Sequence, residues 1–289
     1  MTDRPTRVVD AHVHLWDPAR TDWYPYLSRP PTHGAAGDTG GMYRRFDVDT
    51  YRSEADGWQV EKFVNVAAAT GRHSIEETIE LDGRASSRGG PDAIVGGLPP
   101  TDSVAEAIGL LDRQMTATRF RGVRPMGVFE TPLPHVDVLR ALEERSLVFE
   151  LMTHPDDLRS AAAGLHGVDG LTVVVEHAGW PRSNSEEEFA LWRDGIDALA
   201  GVGGNVACKL SGLAMPFGSM TVDAFAPWLE YAISAFGVDR CLFASNFPVD
   251  AMYGTFDQLY EVFNTVTAGL DAESRQKLFA GNAERIYRM

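Results

Sequence analysis

Hydrophobic positions along this chain follow two rhythms that alternate. Short, nearly continuous apolar runs occupy Val8–His14, Phe63–Ala67, Ile94–Leu98, Phe120–Arg124, Val148–His154, Leu171–His177, Val206–Leu210 and Cys241–Ser245. Their wealth of Val, Ile and Phe predicts strands covered on both faces. Between them, apolar residues recur at helical spacing over Ser74–Ser87, Ser103–Thr118, Val136–Glu144, Asp156–Leu165, Glu186–Ala200 and Val222–Phe236. Capping boxes mark helix starts where Ser103 precedes Glu106, Ser185 precedes Glu188 and Thr255 precedes Gln258. Ala272–Met289 reads as a C-terminal helix and tail that pack beneath the sheet. Strands alternating with helices imply parallel strands joined by crossovers. Eight such units predict an α/β fold, a (β/α)8 barrel of the TIM type, as one domain over residues 1–289. A doubly wound open sheet is the second choice, because no glycine-rich fingerprint follows the first strand.

Residues 17–50 break the rhythm. They hold Trp23-Tyr24-Pro25-Tyr26-Leu27, then Arg29-Pro30-Pro31, then a glycine-rich stretch from Gly34 to Gly41. Loops of this length are uncommon in compact domains and are usually functional or mobile. A disordered insertion fits the glycines but not so many aromatics beside His14. Trp16, Trp23, Tyr24 and Tyr26 are therefore expected to wall a pocket, with plain core packing as the alternative.

Composition narrows the partners. A net charge of −15 argues against nucleic acid and against an anionic membrane surface. Two cysteines without a C-x-x-C motif, Cys208 and Cys241, suit a reduced, cytoplasmic protein. The N-terminus lacks the apolar run of a secretory signal, and no stretch reaches the roughly 20 apolar residues of a membrane span. A small molecule is the expected partner, and homo-oligomerisation stays open.

Chemistry collects where a barrel keeps its active site, at the strand C-termini. The first strand ends in His12 and His14, the fourth in Arg124, the fifth in His154 and the sixth in His177. The eighth ends in Asn246, with Asp250 just beyond. Alternation places Asp10, His12 and His14 on one face, with Ala11, Val13 and Leu15 against the helices. Two imidazoles two residues apart at a strand end can share one metal ion. Arg124 faces inward with Gly122, to pair either with a core acid or, preferably, with a substrate carboxylate or hydroxyl. His154 precedes Pro155, so a substrate contact competes with a structural cap. Lys209 reads as an ion-pair partner at least as readily as a catalytic amine. Glu150 reads as an inner-layer structural group. Glu176, opposite in parity to His177, is expected to point at the helices.

Asp10-Ala11-His12-Val13-His14-Leu15-Trp16-Asp17-Pro18 and Tyr24-Pro25-Tyr26-Leu27 resemble the opening of the amidohydrolase-related family of the amidohydrolase superfamily. The branch is the one of sugar-lactone hydrolases such as L-fuconolactonase and of 2-pyrone-4,6-dicarboxylate lactonases. Matching stretches follow in order: Arg121–Arg124, His177-Ala178-Gly179-Trp180-Pro181, Lys209–Leu213, Phe243–Val249 and Asn282–Tyr287. The resemblance implies a distorted barrel that hydrolyses a cyclic ester, with His12, His14 and His177 at the metal or substrate site. The ion implied is divalent, zinc first, although some lactonases of this branch work without one. The same fold hosts metal-dependent decarboxylases.

One position departs from the resemblance. The family usually carries Asp after the eighth strand, where this chain has Ser245-Asn246-Phe247-Pro248. An amide is no general base and is a weaker metal ligand. Another group can move the proton, with Asp250 first and His177 second. A metal-bound hydroxide or the substrate itself can make a base unnecessary. A silent small-molecule binder is the third reading. The leading expectation is a hydrolase that opens a lactone-like ring on a small, oxygen-rich or carboxylated substrate. His177, Asp250 and Asn246 form its catalytic set, with Arg124, Trp16, Trp23, Tyr24 and His154 against the substrate.

Overall fold

The computed structural model describes residues 4–27, 33, 34, 37–126 and 132–289. Eight parallel strands make one sheet in chain order: β1 (Val8–Val13), β2 (Val60–Val66), β3 (Ala93–Leu98), β4 (Phe120–Pro125), β5 (Val148–Leu151), β6 (Val173–Val175), β7 (Val206–Leu210) and β8 (Cys241–Phe243). The main helices are α1 (Val48–Glu54), α2 (His73–Arg88), α3 (Val104–Gln114), α4 (Val136–Glu144), α5 (Pro155–Gly164), α6 (Glu186–Val202), α7 (Val222–Phe236), α8 (Phe256–Val266) and α9 (Asn282–Tyr287). The sheet closes through a bridge between Val13 and Phe247, so the predicted barrel is what the chain forms. The Asn246 N–H donates to the His12 carbonyl across that junction, and the His14 N–H donates to the Phe247 carbonyl.

Two apolar layers follow from strand alternation. Val9, Ala11, Val64, Val66, Val95, Val148, Val174, Ala207 and Leu242 pack together inside the barrel. Phe63, Phe149, Val173, Cys208 and Phe243 pack outward against the helices. Ala280, Ala283, Ile286 and Tyr287 join the inner layer, so the C-terminal helix lies beneath the barrel as its sequence predicted. All three capping boxes form their Ser or Thr bonds to the third helical N–H. Each such cap stabilises its helix by about 1 kcal/mol.

Three sequence readings are corrected. The register of β1 slips between Asp10 and Val13, so alternation fails there. Ala11 lies inside, and Asp10 faces α1, where its carboxylate accepts from Tyr51 Oη at 2.9 Å and from the Ser245 N–H at 2.8 Å. The sixth strand stops at Val175 rather than running to His177. The long segment after β1 is more ordered than a loop where it is described. Trp16 bridges antiparallel to Phe46, and Asp47 caps α1. Residues 28–32, 35 and 36 of that segment, Arg29-Pro30-Pro31 among them, lie outside the described residues.

Candidate active site

The end of β6 brings two residues inward where the pattern promised one. Val174 belongs to the inner layer, so Glu176, two residues on, keeps its inward face. His177 then enters through a turn, because it and Ala178 adopt left-handed backbone angles, φ 51° and 52°. Only glycine suits position 212 opposite. A Cβ there would lie 2.4 Å from His177 Nδ1. Non-glycine residues in this region carry strain of order 1 kcal/mol or more each, and such positions cluster at functional sites. Trp180 and Asn246, φ 43° and 56°, share it.

Three imidazoles meet at the mouth. The ring centroids of His12 and His14 are 4.7 Å apart, and those of His12 and His177 are 4.8 Å apart. His12 Nε2 lies 3.1 Å from His14 Nε2. His14 Nδ1 lies 2.8 Å from the Val66 carbonyl, which only accepts, so His14 donates there and offers a lone pair at Nε2. His177 Nδ1 pairs with Ser211 Oγ at 2.9 Å, which leaves its Nε2 free for the cavity. Burial pushes the imidazolium pKa of His12 and His14 well below normal and that of His177 down to about 3, with the positive charges of Arg124 and Lys209 adding to the effect. Neutral imidazole is the ligand form of histidine.

Glu176 sits among them. Its Oε2 lies 3.4 Å from Arg124 Nη1 and 3.9 Å from His177 Nε2, and its Oε1 lies 4.0 Å from His12 Nδ1. The prediction that it points at the helices is therefore wrong, because it was counted from His177 rather than from the strand. Glu176 Oε1, His12 Nδ1 and Arg124 Nε are buried without a hydrogen-bond partner among the described residues. Ligand atoms of His12, Glu176 and His177 all lie within 4.8 Å of one another. Zinc takes such nitrogen and carboxylate ligands. The donor set thus fits a divalent cation, although His14 falls outside this trio and Glu176 takes its place.

Arg124 pairs with a core acid, Glu176, the first of the two sequence readings, and its Nε has no hydrogen-bond partner among the described residues. Asn246 Nδ2 donates to Asp250 Oδ1 at 2.9 Å. Asp250 Oδ2 is buried with no partner among the described residues. Burial raises the Asp250 carboxyl to about 7, opposed by the Asn246 amide and by the nearby backbone of Ala214 and Gly212. Trp16 stacks on His14 at 5.9 Å and meets Tyr26 edge-on at 6.4 Å. His154 makes no side-chain cap bond. Its Nδ1 lies 2.9 Å from the Trp180 carbonyl, and its ring stacks on Trp180, which meets His177 edge-on.

Trp23 and Tyr24 stand one layer away from the histidines. Trp23 stacks on His73 of α2 at 5.5 Å, and the Tyr24 hydroxyl donates to the buried Glu77 at 2.9 Å. Glu77 thus takes up the Tyr24 hydroxyl, and His73 covers one face of Trp23. A cleft of about 420 Å³ is lined by Trp16, Arg20, Tyr24, Arg45 and Arg84, and by none of the three histidines. Within it Arg20 and Arg84 pair with Glu80, and Arg45 pairs with Asp47. Unsatisfied chemistry, not volume, marks the site.

The amidohydrolase family model matches residues 9–289. A protein of Sinorhizobium fredii, named uncharacterized protein y4mH, is 31% identical over 98% of this chain and 98% of its own length. An L-fucono-1,5-lactonase of Burkholderia ambifaria is 27% identical over 97% of this chain and 95% of its own. A crystal structure of an amidohydrolase from Burkholderia multivorans with bound zinc superposes with a TM-score of 0.80, covering 98% of this chain and 100% of that one at 24% identity. Among the described residues, no helix is long and apolar enough to cross a membrane.

Proposed function

The chain belongs to the amidohydrolase family, and from that premise we propose that it is a hydrolase opening a cyclic ester on a small, oxygen-rich or carboxylated substrate. One observation carries the reading. Neutral imidazoles, a carboxylate and a guanidinium with donors to spare converge at the C-terminal mouth of the barrel. That mouth is where such barrels perform chemistry. The lactonase name of the Burkholderia ambifaria relative supports an ester as the bond attacked.

His12 and His177 would help hold a divalent cation, zinc first, which when bound would polarise the substrate carbonyl and acidify the attacking water. Arg124 offers Nε and its remaining N–H groups to a substrate carboxylate or hydroxyl, an arrangement its planar fork suits. Asp250 takes the proton of the attacking water. Its partner Asn246, a neutral donor, holds the carboxyl without competing for that proton. Trp16 stacks on His14 with Tyr26 edge-on behind it, an aromatic wall, and Trp180 stacks on His154.

The test is a panel of sugar lactones and pyrone lactones given to purified protein, with metal content read by elemental analysis. Acid release from at least one lactone, lost on His177→Asn substitution, is expected. Carbon dioxide release from aromatic carboxylates with no lactone opened would replace this reading with a decarboxylase.

A further inference from the structure

Two buried acceptors face each other across an unfilled interval. His12 Nδ1 and Glu176 Oε1 are 4.0 Å apart, both wholly buried, and neither has a hydrogen-bond partner among the described residues. The hydrogen bond of His14 to Val66 fixes which nitrogen of His12 is which. His14 Nε2 accepts, so His12 Nε2 donates and His12 Nδ1 presents its lone pair to Glu176. Lone pairs held this close without a donor repel, and a buried polar atom without a partner is costly. A cation between them reverses the sign of the interaction. His177 Nε2 borders the same space, 3.9 Å from Glu176 Oε2.

The turn after β8 offers nothing comparable. Asn246 directs its Nδ2 to Asp250, with Met215 Sδ 3.9 Å away. Among the described residues, Asp250 joins no group of ligand atoms close enough to share an ion. We propose that Glu176 supplies the carboxylate of a divalent-cation site completed by His12 and His177, and that the β8 turn supplies none. This deepens the hydrolase reading and rests on it for the purpose of the ion.

Calorimetric titration of zinc into the metal-stripped full-length protein tests the assignment. The parent chain is expected to bind one zinc. Glu176→Gln keeps the shape and removes the charge, and should weaken binding about tenfold or more, the scale on which even outer ligand partners act. Asp250→Asn should bind as the parent does. Circular dichroism confirms that each variant is folded. If Glu176→Gln does not fold, Arg124→Met serves instead. It leaves the Glu176 carboxylate in place and removes the cation that competes for it, so zinc affinity should rise several-fold. Parent-like binding by Glu176→Gln, no gain in Arg124→Met where that variant is the one used, or a parent that binds no zinc would each overturn the assignment. Lactone opening by a parent that binds no zinc in the titration would overturn it and leave the hydrolase reading standing. Zinc binding that depends on Glu176, with no lactone opened, would do the reverse.

Discussion

Inside the barrel two groups of buried charge lie at successive levels, and only one of them is complete. At the lower level Lys209 Nζ donates to both oxygens of Glu150 at 2.6 Å, and the Tyr287 hydroxyl donates to the same carboxylate. All three side chains are fully buried, and none leaves a polar atom unpaired. Burial holds the Glu150 carboxyl above the usual range, Lys209 opposes the rise, and the Glu176 carboxylate above adds to it. At the upper level Arg124, Glu176, His12 and His177 leave several atoms open. Both levels bear the cost of removing charge from water. The lower one recovers it internally, so its role is architectural. The upper one keeps unspent bonding capacity, which is what a site awaiting a ligand looks like.

The contrast breaks most visibly at the lower level. Lys209→Met strands Glu150 in the core and should cost about 3–5 kcal/mol in urea unfolding. A loss under about 1 kcal/mol would show that the two levels do not differ in kind. In the β8 turn, Asp250→Asn should leave the protein folded and lower kcat by about 10²–10⁴ if its carboxylate moves the proton. Full activity in that variant would remove Asp250 from the mechanism. Arg124→Met should raise KM by the equivalent of about 2–4 kcal/mol with the fold retained. Unfolding instead would place Arg124 with Lys209.

The smallest effect is on pH. The raised Asp250 carboxyl holds its proton more tightly in the folded chain than in the unfolded one. Its contribution to stability is thus full below the ordinary carboxylate range and lost as pH rises through about 7. Catalysis runs the other way, since a base works deprotonated, so kcat should climb with pH through the same interval. Both trends should vanish in Asp250→Asn. Trends that persist there would belong to another group.

The barrel was readable because strand and helix periods differ and each of the eight apolar runs overlaps an observed strand. Histidines at strand ends were readable for the same reason. What was not readable depended on departures from period two. Glu176 was missed because the chain leaves the β-strand at Val175 and a left-handed turn gives His177 a face its parity denies it. Counting outward from the valines of Val173–Val175 rather than back from His177 would have found it. Asp10 was misassigned for a similar reason, since a slip in register leaves no mark on composition. Nothing in the pattern around Tyr24 announced that Glu77, fifty-three positions away, holds its hydroxyl.

The bond from the Asn246 N–H to the His12 carbonyl makes the chemical centre also the seam of the barrel. Its halves lie far apart in the sequence. A nascent chain that has not yet delivered β8 owns His12 and His14 but has no edge to hold them against. Reactive groups therefore come into register only after β8 has been made. A ribosome that stalls before that point releases a fragment whose two edges have never met.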